Sequence, residues 1–66
     1  MTIGTRVKVA ECGLVDSGKL GTVTTILEIG NSATRQLAMK LGWTPVLIDG
    51  EKTATAFPEV LLEEVQ

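Results

Sequence analysis

Few residues of this chain could do chemistry. The 66-residue sequence contains one cysteine, Cys12, and no histidine. Acid–base catalysis near neutral pH usually depends on histidine, so only a buried carboxylate, a lysine or the cysteine could serve here. A reactive thiolate needs an electropositive neighbour, whereas Cys12 directly follows Glu11. We therefore interpret Cys12 as a small apolar residue at the end of a strand and predict that the chain is not an enzyme.

Two further segments contain polar residues at spacings worth testing. Asp16-Ser17-Gly18-Lys19 partly resembles a phosphate-binding loop, but that motif requires Ser or Thr after the lysine and then a helix, and here Leu20 follows. Asp49 and Glu51 flank Gly50, where a turn between strands favours polar residues. Both segments are interpreted as solvated turns, and the sequence predicts neither a metal site nor a cofactor.

The composition favours a compact domain with a small core. Apolar residues make up 44% of the chain, too many for a disordered segment. A domain of this length buries only about 60% of the surface of its unfolded chain, and neither a disulfide within the chain nor a histidine-containing metal site can compensate. Residues 1–66 are therefore predicted to form one domain, and any extra stability should come from regular strand packing or from binding a second copy.

The charge balance and the hydropathy restrict the partners. Six Lys and Arg stand against eight Asp and Glu, a net charge of −2, which disfavours binding to nucleic acid because that affinity rests on neutralising phosphates. No apolar run reaches the roughly 18 residues that span a bilayer, and the N-terminus lacks a signal-peptide pattern. We expect a cytoplasmic protein that binds no membrane.

The order of elements predicts an all-β fold. Alternation over residues 5–9 predicts a first strand with Val7 and Val9 facing inward, and a β-branched run over 20–27 predicts a second strand that bends near residues 24–25. Residues 44–48 and 53–57 are predicted as a hairpin around Asp49-Gly50. Pro58 precedes a predicted single 3-10 turn, and the last strand covers residues 62–65.

The segment 30–42 has two interpretations. Asn31-Ser32 could cap a short helix that ends at Gly42, with Leu37 and Leu41 on one face. The same segment could instead be a loop between strands, because it contains weak helix formers such as Thr34. Whether residues 30–42 form a helix or a loop, the five short strands predict a five-stranded SH3-like barrel.

Several motifs resemble those of SH3-like families. Gly18-Lys19-Leu20-Gly21-Thr22-Val23 resembles the glycine-then-valine segment of KOW-type domains, which implies nucleic-acid binding. Pro45-Val46-Leu47-Ile48 and the closing residues 57–65 resemble the E-type stromal subunit of photosystem I and the variable chain of ferredoxin–thioredoxin reductase. Those two families are non-catalytic accessory proteins, so their resemblance implies a protein partner.

A third resemblance is to the plasmid-encoded type II dihydrofolate reductases. Phe57-Pro58 and Leu62-Glu63 are similar to the end of that family, which is catalytic as a tetramer with a shared pore. Where its pore is lined by valine, glutamine, isoleucine and tyrosine, this chain has Ala54-Thr55-Ala56-Phe57. The resemblance therefore implies a fold more than a reaction.

Three functional hypotheses follow. The leading one is a non-enzymatic accessory or protein-interaction module that forms homo-oligomers, with an interface formed by Trp43, Leu47, Leu37 and Met39. The alternative is a KOW-like nucleic-acid-binding domain that uses Arg6, Lys8, Lys19, Arg35 and Lys40. The third is an oligomeric reductase with a shared pore.

Overall fold

The computed structural model describes residues 2–11 and 17–65. Within these ranges the predicted all-β fold is confirmed in part: the structure is mostly β, with five antiparallel strands, and it also contains one α-helix. In chain order the elements are β1 (Arg6–Val9), β2 (Leu20–Val23), a first 3-10 turn (Ile26–Glu28), α1 (Ser32–Leu41), β3 (Thr44–Ile48), β4 (Thr55–Phe57), a second 3-10 turn (Glu59–Leu61) and β5 (Leu62–Glu64).

The strands form one antiparallel sheet in the order β4-β3-β2-β1-β5, curled into a half-barrel. Strand β1 pairs Val7 with Gly21 of β2 and Val9 with Leu62 of β5. Because successive residues of a strand point to opposite faces, Val7 and Val9 lie on the concave face together, as their alternation with charged residues predicts. The second 3-10 turn connects the two edge strands, β4 and β5.

Two glycine bulges border the ladder between β1 and β2. At one end Gly18 and Lys19 both oppose Val9: the Gly18 amide donates to the Val9 carbonyl at 2.8 Å, and the Val9 amide donates to Lys19 at 2.9 Å. At the other end Gly4 and Thr5 both oppose Val23: the Gly4 amide donates to the Val23 carbonyl at 2.8 Å, and the Val23 amide donates to the Thr5 carbonyl at 2.9 Å. Gly18 has φ +79° and Gly4 has φ +94°, the left-handed conformation that this class of bulge requires of its first residue.

The second strand ends earlier than its β-branched run predicts. Pairing continues only to Thr24, whose amide donates to the Pro45 carbonyl at 3.0 Å, and the first 3-10 turn then begins at Ile26. Val23 points to the concave face, whereas Ile26 packs on the convex side. The prediction of a strand over 20–27 was therefore wrong for residues 24–27, because tertiary packing of Ile26 outweighs their β propensity.

The hairpin between β3 and β4 is confirmed, with a longer connection than predicted. Gly50 has φ +91°, and the Glu51 amide donates to the Ile48 carbonyl at 3.0 Å. The predicted fourth strand over 53–57 shortens to residues 55–57. Ala54 instead forms an isolated parallel bridge with Ile29. The Ala54 amide donates to the Glu28 carbonyl at 2.9 Å.

Residues 32–41 form the helix, which resolves the alternative that the sequence left open. The Asn31 side chain accepts the Thr34 amide at 3.0 Å, so the cap satisfies one of the free amides of the first turn. The helix ends at Gly42 with φ +70°, and the Trp43 amide donates to the Ala38 carbonyl at 3.0 Å. These two ends orient α1 so that it contacts β4 and the first 3-10 turn.

Apolar residues lie on both faces of the sheet. The inner core, on the concave face, consists of Val7, Val9, Val23, Val46, Ile48, Phe57 and Leu62. The outer cluster, between α1 and the convex face, consists of Ile29, Ala38, Ala54 and Ala56, with Ile26 and Trp43 packed against it half-buried. β4 contributes to both, because Ala56 and Phe57 point to opposite faces.

Gly21 allows the sheet to curl tightly. A Cβ atom at this position would lie 2.7 Å from Cγ1 of Val46 and 2.8 Å from the carbonyl oxygen of Leu47. Real Cβ atoms do not approach other atoms this closely. The absence of a side chain therefore lets β2 and β3 pack at the centre of the inner core.

Candidate functional site

The segments with nucleophile or phosphate-loop character are only partly described. Cys12 and Asp16 lie outside the described residues, and the role assigned to Cys12 stays a prediction. The described part of the loop, Ser17-Gly18-Lys19, leads directly into strand β2. A phosphate-binding loop places a helix N-terminus at that point, so these residues form the turn that the sequence favoured.

Arg6 and Asp49 form an ion pair on the convex face. Nη1 and Nη2 of Arg6 donate to Oδ1 and Oδ2 of Asp49 at 2.9 and 2.7 Å, and Nη1 also donates to Oγ1 of Thr22 at 2.8 Å. The hydrogen bond from Arg6 lowers the pKa of the Asp49 carboxyl, partial desolvation opposes it, and the positive charge lowers it further. Asp49 is thus held ionised, and its role is to tie β1 across β2 to the end of β3.

The described residues contain no group suited to binding an ion or enclosing a small ligand. In residues 2–11 and 17–65, no three Asp, Glu, Cys or His side chains converge on one point, and no cavity is found. Over the same ranges no helix is long and apolar enough to cross a membrane. The remaining candidate sites are therefore surfaces.

The five basic residues of the nucleic-acid hypothesis lie on three separate elements. Arg6 and Lys8 lie on the convex face of β1, Lys19 lies in the bulge before β2, and Arg35 and Lys40 lie on α1. α1 packs on β4, which β3 and β2 separate from β1, so Arg35 and Lys40 lie over a different part of the sheet from Arg6 and Lys8.

Several of these basic side chains already have partners within the chain. Arg6 binds Asp49, and Nη2 of Arg35 donates to the Ile29 carbonyl at 3.1 Å, which ties α1 to the outer cluster. Lys8 stands opposite Glu63 in the ladder between β1 and β5. A phosphate backbone would have to compete with these intramolecular acceptors.

The four predicted interface residues also divide between different surfaces. Trp43 is half-buried against the outer cluster. Leu47 is half-buried on the convex face of β3, where it stands opposite Thr22. Leu37 and Met39 are exposed on α1, but residues two apart on a helix point to different sides. Leu37 and Met39 therefore do not share a surface.

Leu37 does share a surface with Leu41. Four residues apart, these leucines are neighbours on the helix, and they are 46% and 50% exposed. Ala33 and Lys40 lie within the same turns, four residues before Leu37 and three residues after it, and both are exposed. We call this surface, Ala33, Leu37, Lys40 and Leu41, the helix patch.

Sequence reasoning identified half of this pattern and missed other exposed apolar residues, among them two in the 3-10 turns. The spacing of Leu37 and Leu41 already indicated a shared face, but Leu41 was not counted among the interface residues. Val60, which is 87% exposed in the second 3-10 turn, and Leu27, in the first, were not predicted as exposed. A single turn contains too few residues for a periodic signal that tells inside from outside.

Comparisons with known proteins give no relative on which to model this surface. No protein-family model matches the chain, and neither the curated proteins nor the solved structures that were searched contain a match.

Proposed function

We propose that this chain is a non-enzymatic protein-interaction module that self-associates through the helix patch. Leu37 and Leu41 carry the proposal, since they leave about half of their surface in water. Removing a leucine side chain from water stabilises an association by about 1.5–3 kcal/mol at full burial. Half-exposed leucines on one helix face are therefore suited to a binding surface.

The thinness of the outer cluster supports the same proposal. The buried residues of the outer cluster are Ile29, Ala54, Ala56 and, from α1 itself, Ala38, with Trp43 and Ile26 only half-buried beside them. Such a cluster buries little apolar area, so α1 gains little stability from its own domain. A protein bound on the exposed side of α1 would add the missing contacts.

We also propose that the half-barrel is an SH3-like barrel. The strand order β4-β3-β2-β1-β5 and the 3-10 turn that precedes β5 support this assignment. It would place the chain beside the accessory proteins that it resembles, although a shared fold does not by itself imply a shared partner.

Sedimentation of two helix variants tests the proposal. The mass of the wild-type chain should rise above that of one copy as its concentration increases. Leu37→Glu should abolish this rise because it introduces a charge among apolar contacts. Met39→Glu, the same change on another side of α1, should behave like wild type. The proposal fails if the wild type stays at the mass of one copy at millimolar concentration, or if both variants assemble equally well.

The nucleic-acid hypothesis is the alternative outcome. Electrostatic contacts with phosphates should produce binding to mixed single- and double-stranded probes at low salt, with affinity falling as salt rises. Such binding by a chain that remains monomeric would favour the KOW-like function over self-association.

A further inference from the structure

The turn between β3 and β4 contains an Asp-Gly pair, Asp49-Gly50, a dipeptide that can rearrange without an enzyme. In this reaction the amide nitrogen of the glycine attacks Cγ of the aspartate, the new bond closes a succinimide ring, and a molecule of water leaves. Water then opens the ring at either of its carbonyls. One opening restores aspartate, and the other gives isoaspartate, whose main chain runs through the side-chain carboxyl and is longer by a CH2 group.

Gly50 presents an accessible amide for this reaction. Both residues of the pair are exposed, and nothing lies within 4 Å of the position that a Cβ atom of Gly50 would occupy. Among residues 2–11 and 17–65 no acceptor binds the Gly50 amide, although the next amide, that of Glu51, donates to the Ile48 carbonyl at 3.0 Å. The nitrogen that would attack is thus free of a hydrogen bond, and no side chain hinders ring closure.

The Asp49 carboxylate is instead held away from this amide. Nη1 and Nη2 of Arg6 donate to its two oxygens at 2.9 and 2.7 Å, and Arg6 lies on β1, across β2 from the end of β3. A two-point contact between a guanidinium and a carboxylate fixes orientation as well as distance. Ring closure requires the carboxyl to turn over the Gly50 nitrogen, so the Asp49 side chain must first leave Arg6.

Arg6 also opposes the chemistry of ring closure. A carboxyl oxygen departs as water only after it has taken up a proton, whereas the hydrogen bond from Arg6 lowers the pKa of the Asp49 carboxyl. The guanidinium does not supply the missing proton, because it stays charged at any pH near neutrality. The contact therefore fixes the carboxylate and also keeps it in its unreactive, ionised form.

We propose that Asp49-Gly50 is a site of isoaspartate formation and that the two hydrogen bonds from Arg6 protect it. The inference is independent of self-association. The extra CH2 group would lengthen the hairpin connection, and β4 pairs with β3 so that Ala56 stands opposite Pro45. Because Ala56 belongs to the outer cluster, isoaspartate in the turn would disturb the residues on which α1 packs.

Ageing of the folded chain tests this inference. Wild type, Arg6→Met and Lys8→Met are incubated in neutral buffer below their unfolding temperatures. Enzymatic methylation then counts isoaspartate, and fragmentation of the peptide that contains residue 50 locates it. Arg6→Met should accumulate isoaspartate several times faster than wild type. Lys8→Met, which removes the same charge from the same face of β1 and leaves the ion pair in place, should match wild type. Equal rates for Arg6→Met and wild type would overturn the inference.

Two further variants identify the site and the cause. Asp49→Glu, added to Arg6→Met, should abolish the fast accumulation, because the larger ring that glutamate requires closes far more slowly. Accumulation that persists in the double variant would place the modification elsewhere. Leu62→Val lowers stability by leaving a small cavity in the inner core and keeps the ion pair. If it ages as fast as Arg6→Met, general opening of the fold sets the rate and Arg6 does not protect the turn.

Unfolded chains provide the reference rate. In urea sufficient to unfold both proteins, Arg6→Met and wild type should age equally fast, because the ion pair is absent from both. Folded wild type should age more slowly than either. A folded wild type that matches the unfolded rate would show that the contact with Arg6 gives no protection.

Discussion

The two faces of the sheet are packed by different means. On the concave face, four valines, Ile48, Phe57 and Leu62 form the inner core, and all are at most 7% exposed. On the convex face, Ala38 of α1 is buried against Ile29, Ala54 and Ala56, and Trp43 stays half-buried at the border. Apolar side chains from all five strands fill the concave side, whereas the convex side depends on the helix.

This difference indicates which part of the molecule carries the fold and which part is available for binding. Buried apolar area sets most of the stability of a small domain, so the inner core should dominate unfolding. The outer cluster holds α1 in place with fewer large contacts, and the exposed leucines of the helix patch lie on that side. If the proposed function holds, stability and binding belong to opposite faces of one sheet.

The largest expected effect compares the two aromatic residues. Phe57→Ala should lower the free energy of unfolding by about 3–5 kcal/mol, because a buried aromatic side chain leaves a cavity in the inner core. That loss approaches the whole stability of a domain of this length. Trp43→Ala, on the convex face, should cost less and leave the β signal intact. Urea unfolding followed by circular dichroism measures both, and an equal or larger loss for Trp43→Ala would reverse the comparison.

Gly21→Ala should have the next largest effect, about 1–3 kcal/mol of destabilisation through overpacking. The new methyl group would meet the Leu47 carbonyl at 2.8 Å, and a backbone atom in mid-strand cannot move aside easily. Gly30→Ala is the matched control, because there the nearest atom is a methyl group of the exposed Thr53 side chain at 3.0 Å. Equal urea midpoints for the two variants would show that Gly21 does not limit the curl of the sheet.

The smallest expected effect concerns the ion pair on the exposed part of the convex face. The pKa of Asp49 is lowered in the folded chain, so its contribution to stability is present above the unfolded value of about 3.9 and is lost as the pH falls through the lower folded value. Asp49→Asn should therefore slightly reduce stability at pH 7 and flatten the loss of stability in acid. Urea midpoints at pH 7 and in acid measure this change.

Glu51→Gln is the control for the ion pair. It removes a carboxylate from the same turn and leaves the contact between Arg6 and Asp49 in place. A pH profile that changes equally in both variants would mean that the general charge of the turn, rather than the ion pair, sets the acid dependence.

Much of the fold could be predicted because local signals agree with the tertiary structure. Alternation over β1 identified Val7 and Val9 as core, and Pro58 marked the end of β4. The end of β2 could not be predicted, because residues 24–27 favour a strand by propensity while Ile26 packs on the convex side. The packing of Ile26 on the convex side depends on α1, which lies later in the chain.

The candidate site was harder to predict, since it depends on which side of α1 faces the sheet. Only Ala38 of the helix is fully buried, and alanine gives little contrast between a buried and an exposed face. With no large residue to mark the buried face of α1, Leu37, Met39 and Trp43 were all predicted as interface residues. The position of α1 on β4 was needed to show that Trp43 packs against the outer cluster while Leu37 and Met39 are exposed.

The two glycine bulges fix the alignment of the first two strands during folding. If β1 slid along β2 by one residue, its valines would turn outward and side-chain-bearing residues would have to adopt the left-handed conformations of Gly4 and Gly18. Both penalties act at once, so the native alignment of β1 and β2 is strongly favoured over one shifted by a residue. The neighbouring strands, β3 and β5, therefore pair with strands whose alignment is fixed by their own sequence.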